Sequence, residues 1–175
     1  MLTLPHTRLQ VPGTRLRVTA VSELPTAHGL VWVAAVEADG LHIGTFENDG
    51  NGAATQFAPY DTSVYGLRQF ETFAAACLRD GACVTAEQAM ELLVEEFDTS
   101  VMVREVEGHT STYVRQIRDG RTIGYAEVDD RPSTYADLVE LARQLTPRPV
   151  HGRDPVTWEM WTGQTWQRLP IPPYD

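Results

Sequence analysis

Residues 30–47, "LVWVAAVEADGLHIGTFE", constrain the fold more than any other stretch of the chain. Asp39-Gly40 separates two segments rich in Val, Ile, Trp and Phe. Asp-Gly suits a two-residue turn, in which both central residues take positive φ. The stretch therefore predicts a hairpin of residues 30–38 against 41–47. A two-residue turn sets Glu37 opposite His42, Val36 opposite Ile43 and Val33 opposite Phe46. Trp32, Val36 and Ile43 then share one face, and Val33 and Phe46 the other. Apolar residues on both faces predict strands inside a sheet rather than at its edge.

Similar patterns recur. Residues 14–24 read as a strand stopped by Pro25. A second hairpin, "STYVRQIRDGRTIGYAEV", centres on Asp119-Gly120. A two-residue turn there would oppose Arg118 and Arg121, a like-charge pair, so a longer, bulged turn is expected. "DGLHIGTFE" and "DGRTIGYAE" share Asp, Gly, Ile, Gly and Glu at matching positions, a weak sign of a repeated unit. Leu67, Phe70, Phe73, Ala74, Cys77 and Leu78 recur at helical steps and predict a helix over 62–79, stopped by Asp80-Gly81. Thr85-Ala-Glu-Gln88 has the form of a capping box and starts a second helix. Its buried stripe is Met90, Leu93, Val94, Phe97 and Val101, with Glu87, Glu91 and Glu95 on a solvated side. A third helix is expected over 133–145, started by Ser133 or Thr134.

These elements predict an α+β fold: a mainly antiparallel sheet built from β-hairpins and packed by about three helices. The 175 residues suit a single domain over 1–175. Residues 146–155, with three prolines, read as a connector to a C-terminal Trp-rich hairpin over 156–169. With a two-residue Thr162-Gly163 turn, Trp158 faces the domain while Trp161 and Trp166 share the opposite, partly free face.

Charge narrows the function. The net charge is −10, and residues 61–110 hold 10 acids against 3 arginines. Phosphate backbones need a basic face, so direct nucleic-acid binding is not expected. A basic protein partner is. No apolar run approaches the ~18 residues of a membrane span, and the first ten residues lack a signal-peptide pattern; a cytoplasmic location is the expectation. All 14 basic residues are arginine, a bias that points to a GC-rich bacterial or phage genome. Cys77 and Cys83 match neither a zinc nor a redox spacing and read as packing residues.

The most site-like stretch is Asn48-Asp49-Gly50-Asn51-Gly52. It lacks the lysine of a phosphate loop, the third glycine of a dinucleotide fingerprint and the ligand spacing of an EF-hand. Glycines and Asx residues that turn the backbone account for it. As a ligand loop, Asp49 and Asn51 would offer oxygens and the glycine amides donors. "DGLHIGTFENDGNGA" is similar to a pattern in small bacterial and phage proteins: a strand, xGxxVG, a short strand and an Asn-Asp-Gly-x-Gly-Gly loop. Ala53 stands where the last glycine would fall. That resemblance implies a recurrent α+β architecture and no particular activity, and it adds weight to Asn48. The Trp segment is similar to short Trp-rich hairpins of actinobacterial and phage proteins.

The five histidines show no metal-ligand spacing, and His42 opposite Glu37 reads as a solvent-facing pair. No nucleophile motif is present, and neither a metal nor a cofactor is expected. The binding candidates are Asn48, Asp49, Asn51, His42, Trp161 and Trp166. The expected function is non-enzymatic: an intracellular, acidic binding or inhibitor protein, phage- or defence-related. The alternative is a small enzyme with its site near the 48–52 loop. If that loop only turns the chain, calcium, magnesium and EDTA will all leave the thermal midpoint unchanged; a metal-dependent shift in a melting curve would overturn this reading.

Overall fold

The computed structural model describes residues 1–145 and 156–171. The element order is β1 (Leu2–Thr3), β2 (Leu9–Val11), β3 (Leu16–Thr26), β4 (Gly29–Ala38), β5 (Leu41–Asn48), β6 (Gln56–Pro59) and α1 (Leu67–Ala75). Then come β7 (Leu78–Arg79), β8 (Ala82–Cys83), α2 (Ala86–Glu105), β9 (Thr112–Arg118), β10 (Arg121–Val128), α3 (Tyr135–Leu145), β11 (Thr157–Trp161) and β12 (Trp166–Arg168). The fold is α+β; among the described residues there are three helices and three antiparallel four-stranded sheets. The sheet orders are β1-β2-β7-β8, β3-β4-β5-β6 and β10-β9-β11-β12. The chain divides into two compact units, Met1–Val101 and Met102–Asp175, and the division falls within α2. The Pro-rich connector expected over 146–155 lies outside the described residues.

In the first unit, β4 and β5 are the central strands of their sheet, as apolar patterning predicted. Their register departs from the simple hairpin. Asp39-Gly40 forms the two-residue turn, with φ of 53° and 79°, and Glu37 does face His42. Val36, however, faces Gly44 rather than Ile43, and Phe46 faces Ala34 rather than Val33. Ile43 is an extra residue, a β-bulge that changes the face of everything beyond it. Ile43 and Phe46 therefore both enter the core with Val36 and Ala34, although three positions apart. Gly44 permits the bulge: its φ is 157°, and a Cβ there would strike the Ala58 carbonyl of β6. Phe46 meets Phe57 edge to face and Phe70 at a tilt, at 5.8 and 5.2 Å between centroids.

The hairpin at Asp119-Gly120 repeats this device. Its turn is also two residues long, with Arg118 opposite Arg121, so the expected longer turn is not used. The bulge lies instead at Ile123, four residues past Asp119, as Ile43 lies four past Asp39. Asp80-Gly81 forms a third turn of this kind between β7 and β8, with φ of 51° and 82°. It is not a helix stop. Helix α1 ends earlier, at Ala75, and the predicted 62–79 helix is correspondingly shortened.

The Thr85–Gln88 capping box forms as expected, and Thr134, one of two expected starts of α3, forms another. Thr85 N–H donates to Gln88 Oε1 (3.0 Å) and Gln88 N–H to Thr85 Oγ1 (3.1 Å). Thr134 and Asp137 exchange the equivalent pair before α3, at 2.9 and 3.2 Å. The first unit's core gathers Leu9, Val36, Phe46 and Phe70 with Ala89 and Leu93 of α2.

In the second unit, α3 places Leu141 and Ala142 against Val114 and Met160. The opposite sheet face carries Trp161 and Trp166, which cluster with Val103 of α2. This corrects the expectation of a free Trp face: Trp161 and Trp166 are 8% and 6% exposed, whereas Trp158 is only partly buried. The turn expected at Thr162-Gly163 is a four-residue loop, so Trp161 pairs directly with Trp166, their rings 5.4 Å apart. Buried beside them, Arg115 donates from Nε and Nη2 to Glu159 Oε2 at 2.8 and 2.6 Å, and its Cζ lies 4.4 Å from the Trp166 ring centroid. The hairpin is core on both faces. Trp161→Ala will lower stability by about 3–5 kcal/mol, more than Trp158→Ala, as denaturant titration of both variants will measure.

Candidate functional site

The strands of the first unit differ in length, and that difference creates the most distinctive surface. β5 pairs with β4 only from Trp32↔Asn48 to Ala38↔Leu41. The β3–β4 pairing runs on through Leu24↔Val31 and Pro25↔Leu30 to Thr26↔Gly29. Residues 24–31 thus form a two-stranded arm beyond the four-stranded sheet. Pro25 does not stop β3, because an edge strand tolerates a residue without an N–H. At the tip, Thr26 Oγ1 donates to the Gly29 carbonyl (2.8 Å) and accepts from His28 N–H (3.2 Å).

Apolar side chains on this arm face solvent. Leu24 is 63% exposed and Leu30 42%, and Val33 at the arm's base is 39% exposed. Leu24 and Val31 are paired across the strands, as are Pro25 and Leu30, so both faces of the arm are apolar. Carboxylates flank it: Glu23 beside Leu24 in β3, and Glu47 opposite Val33. The carboxyl of Asp98 on α2 is pushed up to about 6, first by burial and then by the charge of Glu23.

The 48–52 loop lies against the arm, with Gly50 beside the backbone of Gly29 and Leu30. Asn48 Oδ1 accepts from Gly50 N–H (2.9 Å), and Asp49 Oδ1 accepts from Asn51 N–H (3.0 Å). Asn48 Nδ2 donates to Thr55 Oγ1 (3.1 Å), and Thr55 N–H donates to Glu87 Oε1 (3.1 Å). Glu87 is therefore engaged in packing, not merely part of a solvated face.

Within the first unit, His42 does not join Asn48, Asp49 and Asn51. His42 sits at the far end of β5 from Asn48, about 20 Å along the strand. Its Nε2 lies 3.3 Å from Glu37 Oε1, and Arg17 holds Oε2 of the same carboxylate at 2.9 Å. Asn51 is exposed in the loop. Trp161 and Trp166 belong to the second unit's interior. Among the described residues, no three His, Cys, Asp or Glu side chains gather as a metal site. Burial pushes the Cys77 thiol up to about 11, which suits a packing residue.

Sequence reasoning missed Glu96. Its carboxylate receives His6 N–H (3.0 Å), Thr7 N–H (2.8 Å) and Thr7 Oγ1 (3.0 Å), tying the 5–8 segment to α2. Burial raises this carboxyl above its ordinary range, against the lowering effect of these donors, and the charge of Glu95 adds to the rise. The available signal was an acid three and four residues beyond Leu93 and Leu92, on the apolar stripe. No protein-family model, curated protein or solved structure matches the chain.

The Asp98–Glu23 proximity has a pH signature. A carboxyl whose folded pKa is raised disfavours ionisation, so its contribution to stability falls as pH climbs from about 4 to 6 and stays low above that. Solvent screens part of this effect, because Asp98 is exposed as a residue. Asp98→Asn will raise the thermal midpoint at pH 7 relative to the parent, and the gain will shrink towards pH 4. Melting curves of both proteins across that range check the sign.

Proposed function

We propose that this chain is a non-enzymatic binding protein whose contact surface is the β3–β4 arm. The carrying observation is the exposure of Leu24 and Val33 on one face of the arm and of Leu30 on the other. Large apolar side chains left in water on a projecting ribbon present a surface that a protein partner can cover. The expected partner is a protein segment that covers these side chains and brings Arg or Lys towards Glu23, Glu47 and Asp98. A net charge of −10 favours encounter with such a basic partner. An intracellular role in a bacterial or phage setting, as an acidic inhibitor, fits this chemistry. The Trp hairpin plays no direct part, because its rings are interior. The alternative, a small enzyme using the 48–52 loop, is less favoured, because Asn48 and Asp49 direct their side-chain oxygens to backbone amides.

Paired substitutions test the reading. In Leu24→Ser/Leu30→Ser the melting temperature and circular dichroism will match the parent, while affinity for a basic protein captured from source-cell lysate will fall by about 2 kcal/mol or more. Raised salt will weaken the parent complex. Full retention of that partner by the folded double variant would remove the arm from the interface.

A further inference from the structure

We propose that the 48–52 loop is a clamp that fixes the pose of the β3–β4 arm through direct backbone contact between Gly50 and Gly29-Leu30. A two-stranded ribbon is marginal in water, and beyond the Trp32↔Asn48 pair the arm has only two strands. As β5 ends, the chain crosses to the arm instead of leaving it. A Cβ built on Gly50 would lie 2.9 Å from both the carbonyl carbon and oxygen of Leu30, and one built on Gly29 would strike the Gly50 carbonyl. The two backbones meet at a separation that excludes any side chain, which accounts for glycine at both positions.

The loop is itself anchored. Asn48 bonds Gly50 N–H with its oxygen and Thr55 with its nitrogen, and Thr55 N–H bonds Glu87 of α2. Contacts therefore run from the arm's tip, through Gly50, Asn48 and Thr55, to α2. An arm held this way meets a partner already ordered, which lowers the entropy lost on binding. That consequence rests on the arm being the contact surface; the clamp does not.

Amide hydrogen exchange on the isolated chain separates the two ideas, since it needs no partner. Gly50 and Gly52 both have positive φ, 70° and 81°, so alanine strains the backbone at either one. Only Gly50 meets neighbouring atoms; a Cβ on Gly52 has nothing within 4 Å. Gly50→Ala is expected to speed exchange over residues 24–31 at least about tenfold relative to Gly52→Ala, with α2 still protected. Equal exchange of the arm in the two variants would overturn the clamp. Should Gly50→Ala fail to fold, Asn48→Ala, which releases the loop from Thr55, replaces it: faster arm exchange supports the clamp and unchanged exchange refutes it. Loss of partner binding in Leu24→Ser/Leu30→Ser with a normal clamp, or the reverse, assigns any failure to one idea alone.

Discussion

The first unit depends on one inserted residue. Ile43 has no partner in β4, and its insertion lets Phe46 join Ile43 on the core face. A regular strand would send Phe46 outwards, and the aromatic cluster with Phe57 and Phe70 could not form. Gly44 makes the insertion feasible, because the chain there takes a φ of 157° with the Ala58 carbonyl close behind it. Core composition, strand register and the placement of β6 all follow from this local irregularity.

Local signals explain which elements were legible in sequence. The Asp39-Gly40 turn, the Thr85–Gln88 capping box and the α+β alternation all depend on residues a few positions apart, and each formed. Register did not follow from them. A bulge is set by packing across strands, so the pattern around Ile43 cannot distinguish a straight strand from a bulged one. Asp80-Gly81 misled for a related reason: Asp-Gly after a helical stretch suits a stop or a turn equally, and pairing of β7 with β2 decides between them. The candidate site was less legible. Asn48 to Gly52 stood out as an unusual loop, yet its contact with Gly29 and Leu30 spans about twenty residues of sequence and leaves no local mark. Trp161 and Trp166 alternated as expected, but the side chains that cover them, from Met102, Val103 and Tyr113, lie far back in the chain.

Buried charge is used differently in the two units. Glu96 answers backbone amides and a hydroxyl of a single turn, whereas Arg115 and Glu159 answer each other across β9 and β11. Pairs of the second kind add little net stability compared with apolar replacements, but removal of one partner costs about 3–5 kcal/mol. Arg115 and Glu159 therefore act as a register key: a slip of one residue between β9 and β11 would strand both charges. Among the described residues, no buried side-chain nitrogen or oxygen lacks a hydrogen-bond partner, so this polar interior is complete rather than strained.

Strand β3 ends its sheet and is eleven residues long, with Leu24 exposed in its distal half. Such an edge ordinarily recruits further strands, from a second copy or a misfolded neighbour. Three features interrupt that templating. The pairing with β4 is irregular between Val18 and Ala20, Glu23 carries a charge midway, and Pro25 has no N–H to donate to an incoming strand. The chain can thereby keep greasy side chains in water without seeding fibrils. What the arm presents to solvent is side chains, and open-ended backbone assembly is discouraged at the same address.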